Sequence, residues 1–432
     1  MDKYTEETRF SDYSSYDTYE QKPAMDYSLE NELRKTIQRQ KRTIFRLAER
    51  NKLWKIISAV LAILLVIESV VLWANSDDDG AHIPEVSQVQ TEDGDSTIDI
   101  QAVAPNAVDE GRIDEMLSQM TLIDKIHQMM FVSPEELTGV DAATVAGEST
   151  KSVLFDRKVG GIIYSPINVQ DADQLKTMLS NTAEYAFTPT FLGFERNSGY
   201  LISDVGYDMP SQTVIGTYSD KNKVAEDYAN CAKEMAELGF NVNLGLNAEL
   251  GSAGDSITVG SFGSEAVAVS ESVAMAVKGQ LAHKVSTSVG TFSPSSQDDE
   301  TAMYDVYKAG IDEGADFLMI SHGMYTVSEG EDVPCSMSND VVGGIVRDKL
   351  GFGGIVITAP MRELLYREEY APGEAEVECI KAGVDMFLDP IDLSETVEYI
   401  NEAVRTGELD VELINDSVKR ILRVKLKRGL IN

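Results

Sequence analysis

Eight short candidate strand runs recur between residues 112 and 432, with amphipathic stretches between them. They are Gln128 to Val132, Val159 to Tyr164, Thr190 to Glu195, Val242 to Leu246, Ser286 to Phe292, Phe317 to Ser321, Ile355 to Thr358 and Met386 to Leu388. Largely apolar runs of this kind suit strands covered on both faces, as in a parallel sheet. Between them fall helical patterns such as Lys221 to Leu238, Glu265 to Lys284, Ala302 to Glu313, Asn339 to Leu350 and Glu374 to Ala382. This alternation predicts an α/β fold, a (β/α)8 TIM-like barrel over residues 108–432. An open doubly wound sheet is the alternative, but no GxGxxG or GxxxxGK[ST] joins a strand to a helix, which counts against its nucleotide-binding form.

The seventh run, within GFGGIVITAPM, poses the functional question. Barrels carry their chemistry at the C-terminal ends of the strands. This strand delivers Thr358, Ala359 and Pro360 there, none of them an acid, a base or a strong nucleophile.

The N-terminal quarter has a different organisation. Residues 1–27 combine tyrosines with acids and few aliphatics, a composition that cannot bury a core and predicts a disordered cytoplasmic tail. Residues 28–55 are basic. Leu33, Ile37, Gln40, Ile44, Leu47, Asn51 and Trp54 follow alternating steps of four and three, which suits either a short coiled coil, with a homodimer through 33–54, or a juxtamembrane helix on anionic lipid. Ile56 to Ala74 is a nineteen-residue apolar run, long enough to span a bilayer core. A cleavable signal peptide is the rival reading, set against by the long preceding segment and the absence of a small-x-small site. Basic residues before the run and Asp77 to Asp79 after it predict a single-pass plasma-membrane protein with a cytoplasmic N-terminus and an extracellular C-terminal domain. Residues 75–107 read as an acidic extracellular linker.

A net charge of −35 argues against a nucleic-acid partner, since phosphate binding needs clustered Lys and Arg. Cys231, Cys335 and Cys379 are widely spaced and allow at most one disulfide, and the four histidines form no metal-ligating pair, so no metal or cofactor is expected.

The polar residues near strand ends are Glu195, Asn247, Glu249, His322 and the run Asp298, Asp299, Glu300. Glycosidases set two carboxylates about 5 to 9 Å apart across the scissile bond. Glu195 and Glu249 would form such a pair, with Asp298 as a further candidate acid, or each is a solvent-facing carboxylate at a barrel mouth. Asp298 to Glu300 also suit the acidic N-terminus of the following helix. His322 reads as a hydrogen-bonded strand-end histidine or as a site residue, and Asn197 and Tyr200 as sugar-site candidates on a loop.

Seven segments, in order, carry a resemblance. MLSQMTLIDKIHQMM is similar to "MTLEEKIGQM", KVGGIIY to "GGVILF", ELGFNVNLGLNAEL to "LGINLNFAPVLDV" and VGSFGS to "RSFGSD". ISHGMY, VPCSMSNDVVGGIVRDKLGFGGIVIT and the closing DSVKRILRVKLKRGL follow in register. Residues 112–432 thus resemble glycoside hydrolase family 3, of the single-barrel bacterial β-N-acetylhexosaminidase type. The resemblance implies hydrolysis of O-glycosyl bonds, with the nucleophilic Asp of "VISDDLxM" matched here by Ala359. It places Ser295 where the acid/base histidine of "KHFPGHGDT" would stand. The sugar-binding "DQEGGRV" becomes Glu195 to Leu201, the Asp of "LDV" becomes Glu249, the Arg of "RSFG" becomes Gly260, and the "AHI" histidine is kept as His322. A methyl group cannot attack an anomeric carbon, and a serine hydroxyl does not shuttle protons near neutrality.

Three functional expectations follow. The first is a membrane-anchored barrel that has lost its chemistry and binds cell-wall or other glycans, or serves as a scaffold. The second is an active glycosidase with relocated carboxylates, Glu195 or Glu249 with an acid from residues 293–300. The third is a protein-binding receptor or scaffold. A Ser-His-Asp arrangement around Ser321, His322 or Ser295 lacks a GxSxG elbow.

Overall fold

The computed structural model describes residues 106–431 apart from 200, 203–205, 252–259, 295–299, 329 and 368–369. The tail, the basic segment, the apolar run of 56–74 and the linker up to residue 105 lie outside the described residues, as do Tyr200, Ser295 and Asp298. Among the described residues no helix is long and apolar enough to cross a membrane.

Eight parallel strands form the sheet: β1 (Met130–Val132), β2 (Gly161–Tyr164), β3 (Phe191–Phe194), β4 (Val242–Asn243), β5 (Ser286–Phe292), β6 (Phe317–Ile320), β7 (Ile355–Thr358) and β8 (Phe387–Leu388). Their order is β8-β1-β2-β3-β4-β5-β6-β7, with Met130 opposite Phe387 joining the last strand to the first. A parallel bridge between Ile357 and Met386, and a bond from Thr358 N to Met386 O at 3.1 Å, bring β7 back to β8 and close the ring.

The sequence motifs have local physical causes. In the helix Leu122–Gln128, which leads into β1, Thr121 Oγ1 accepts from Asp124 N and Asp124 Oδ2 accepts from Thr121 N, each at 3.1 Å. This reciprocal capping box is the reason for a Thr-x-x-acid start. The paired glycines of KVGGIIY make room inside the barrel. A Cβ on Gly161 would stand 2.5 Å from the Phe131 ring, and one on Gly160 would stand 1.9 Å from Gln128 O. Phe131 stacks on Phe191, which in turn meets Phe317 edge-on at 5.1 Å, so the lower barrel is a packed aromatic core and not a pore.

The N-terminal end of the barrel is held by the last helix, Val411–Lys427. Asp316, just before β6 and buried, accepts from Ser286 Oγ, Lys427 Nζ and Arg428. Asp385, ahead of β8 and also buried, receives Arg347 and Arg420. Lys425 lies wholly inside, its Nζ donating to Gln128 Oε1 at 2.7 Å and standing 5.0 Å from the Phe191 ring centre, and burial draws its pKa down to about 7. Asn106 bonds back to Lys427 O, tying the start of the described chain to this helix.

Three details differ from the sequence expectations. β4 stops at Asn243, not Leu246, because the Asn243 side chain bonds the Arg196 backbone and Gly245 N; pairing resumes as a bridge between Asn247 and Gly290. Residues Met324–Thr326 and Asp332–Pro334 form a small antiparallel hairpin that no run of apolar residues announces. The helix Thr301–Glu313 begins after Glu300, but Glu300 makes no side-chain cap; its carboxylate accepts from the Tyr304 hydroxyl one turn on, at 2.9 Å. All three cysteines are buried and unbridged.

Candidate functional site at the barrel mouth

The strand ends converge on a cavity of about 510 Å³. Its lining follows β1 (Ser133, Glu135), β2 (Tyr164, Ser165), β3 (Phe194, Glu195), β7 (Pro360, Arg362) and β8 (Leu388, Asp389). A concave, mostly apolar site with a few polar groups at this end of a barrel is where a small ligand binds.

Ala359 closes β7. It is 5 % exposed, and its N–H donates to Ile320 O at 2.8 Å, so the barrel wall fixes it. Its carbonyl lies 3.1 Å from His322 Nε2, while His322 Nδ1 lies 2.8 Å from Ser336 Oγ. A carbonyl can only accept, so Nε2 carries the proton. Both ring nitrogens are thereby engaged inside the wall, and His322, 3 % exposed, is not part of the cavity lining. The histidine braces β6 against β7.

Glu195 is the sequence-derived candidate that does line the cavity. It sits at the rim with outer atoms in water, yet the surrounding protein, and secondarily the Glu363 carboxylate, push its carboxyl above the usual range. The next residue turns the other way. Arg196 is buried, paired with Glu234, and its Nη2 donates to Gly199 O at 3.2 Å and to the Tyr207 carbonyl, drawing both ends of the following loop inward. Asn197 points out to solvent and accepts only weakly from Ser198, at 3.3 Å.

Glu249 belongs to the β4–β5 side. Its N–H donates to Asn247 Oδ1 at 2.8 Å, and its carbonyl accepts from Ser261 Oγ at 2.8 Å. Partial burial raises its carboxyl against the opposing pull of the Asn247 hydrogen bond. The described lining of the cavity holds Glu195 but neither Glu249, Asn197 nor His322, so the two glutamates do not face each other across this space.

The mouth also holds charges that sequence reasoning did not single out. Arg362 Nη2 pairs with Glu136 Oε2 at 3.0 Å and its Nε with Asp389 Oδ2 at 2.8 Å. Glu136 Oε1 in turn accepts from Leu393 N at 2.9 Å. The guanidinium therefore clamps the segment after β7 to those after β1 and β8. Glu135 Oε1 accepts from Ala143 N and Asn168 Nδ2, at 2.8 and 2.6 Å, fixing the loop beside it. The place of Arg362, three residues past Ala359, and of Asp389, just past the eighth run, is the only signal the sequence offers for them.

Comparison with known proteins agrees with the barrel. The family model described as "Glycosyl hydrolase family 3 N terminal domain" matches residues 114–424. A relative from Cellulomonas fimi described as a "Beta-N-acetylglucosaminidase/beta-glucosidase" is 24 % identical over 307 residues, 63 % of this chain and 53 % of its own length. The chain spans about half the length of the curated relatives it matches. Among solved structures, a family 3 β-N-acetylglucosaminidase from Paenibacillus sp. superposes with a TM-score of 0.65 at 22 % identity, covering 72 % of this chain and 63 % of that one. A β-N-acetylhexosaminidase from Beutenbergia cavernae gives 0.60 at 21 %, covering 70 % and 98 %. At these identities the superpositions speak for the fold alone.

Proposed function

The chain belongs to glycoside hydrolase family 3, and from that premise we propose that its barrel binds glycans at the mouth cavity without hydrolysing them. The observation that carries this reading is Ala359. The position matched to the family's nucleophile is a methyl group set in the wall, with its backbone held by Ile320 and His322. A covalent glycosyl intermediate needs an oxygen nucleophile at that point. Relocated chemistry would need a second carboxylate facing Glu195 across the cavity, and among the described residues the other carboxylates of the lining are engaged elsewhere, Glu135 with Ala143 and Asn168, Asp389 with Arg362. The hexosaminidase relatives make an amino-sugar glycan, such as a cell-wall fragment, the first ligand to try.

The same proposal includes the anchor. With residues 56–74 spanning the plasma membrane, the barrel stands outside the cell on an acidic tether. Protease added to intact cells should then remove the barrel and leave the N-terminal tail protected; digestion of the tail with the barrel protected would reverse the orientation.

For the binding reading, purified full-length protein in mild detergent is titrated calorimetrically with N-acetylglucosamine oligomers and wall fragments. Saturable heat with no released sugar supports it, and absence of binding to any glycan leaves a protein-binding scaffold as the reading that fits.

A further inference from the structure

Resting on that glycan reading, we propose that the cavity selects amino sugars bearing a free ammonium group over their N-acetylated forms, and that Glu195 is the residue that makes the selection. The inference comes from which charges in the cavity are already matched. Among the described residues the lining carries one cation, Arg362, and it is held by Glu136 and Asp389 at 3.0 and 2.8 Å. Of the three lining carboxylates, Asp389 is neutralised by that guanidinium and Glu135 accepts from Ala143 N and Asn168 Nδ2. Glu195 has neither a hydrogen bond nor an ion pair among the described residues, and the carboxylate that bears on it, Glu363, repels it.

The rest of the wall supplies no second cation: Ser133 and Ser165 bring only neutral hydroxyls. Ile163, Phe194, Pro360 and Leu388 are apolar, and the Tyr164 hydroxyl is turned into the core, donating to Thr182 Oγ1 at 3.0 Å. An unpaired carboxylate beside an apolar wall favours a ligand that brings its own cation on a body with apolar faces. A 2-amino-2-deoxy sugar does this, with its ammonium on Glu195 and its C–H face on the wall. An acetamide lacks the charge and so forgoes the ion pair with Glu195.

The test titrates full-length protein with methyl β-glucosaminide, its N-acetylated counterpart and methyl β-glucoside, at a pH where the amine is protonated. The free amine should bind about tenfold more tightly than either neutral glycoside, as expected for one charge-assisted contact. Glu195→Gln should bring the three affinities together without moving the melting temperature, since the residue lies at the rim. Equal binding of all three by the wild type, or a preference that survives Glu195→Gln, overturns the ammonium selection while leaving glycan binding intact. If none of the three binds, nor any longer glycan, both this inference and the reading beneath it fail.

Discussion

At the scale of single residues, the barrel mouth separates side chains that hold the wall from those that meet the cavity. His322 is the clearest case, because by sequence it matches a site histidine and by structure it bonds Ala359 O and Ser336 Oγ within the wall. Replacing it by alanine leaves a buried carbonyl and a buried hydroxyl short of a partner, a loss of about 2 kcal/mol. Urea denaturation of His322→Ala should show that drop with glycan affinity unchanged; a collapse of affinity with stability intact would make it a ligand contact. Lys425 gives a pH signature. Its ordinary pKa of 10.5 falls to about 7 in the folded barrel, so between those values the unfolded chain binds the additional proton. Stability therefore climbs as pH rises from about 7 toward 10.5, and that contribution is lost as pH falls back to 7. Lys425→Met should flatten the slope in a series of urea melts between pH 7.5 and 9.5 (roughly the window those two values bracket), whereas an unchanged slope would mean that the amine is solvated.

At the scale of elements, the last helix fastens the bottom of the barrel and the Arg362 clamp fastens its top. Asp316 receives Ser286, Lys427 and Arg428 in a buried setting, and removing its charge strands two cations, a cost of about 3 kcal/mol or more. Asp316→Asn should lower the urea midpoint and speed hydrogen exchange first in the amides of Val411–Lys427; uniform acceleration across all strands would place the weak point elsewhere.

Elements of this kind were largely readable in advance. β6 (FLMI) and β7 (IVIT) run nearly as their apolar patterns indicate, because a strand buried on both faces declares itself by continuous apolar residues. β4 was not, because its end is set by where the Asn243 amide reaches, a tertiary contact with no periodicity. The site was legible in part for the same reason. Glu195 and Ala359 follow strands and could be placed by counting, whereas Arg362 lies in the turn Met361–Arg367, and its role depends on Glu136 and Asp389, 226 and 27 positions away along the chain.

At the scale of the whole molecule, a glycoside hydrolase family 3 barrel has a packed core, a fastening last helix and a mouth cavity, and presents Ala359 at the strand end where we propose that the chemistry has been lost. The fold does not need the nucleophile, because catalytic groups at the C-terminal ends of barrel strands contribute little to the packed interior. On the proposed reading, the acidic mouth cavity serves recognition. The most direct check is release of nitrophenol from aryl β-N-acetylglucosaminide and β-glucoside by the purified full-length protein, run beside Glu195→Gln and Glu249→Gln. Expected is a rate indistinguishable from buffer for all three proteins; turnover by the wild type that Glu249→Gln or Glu195→Gln abolishes would contradict the loss of catalysis and restore the chain to the working glycosidases.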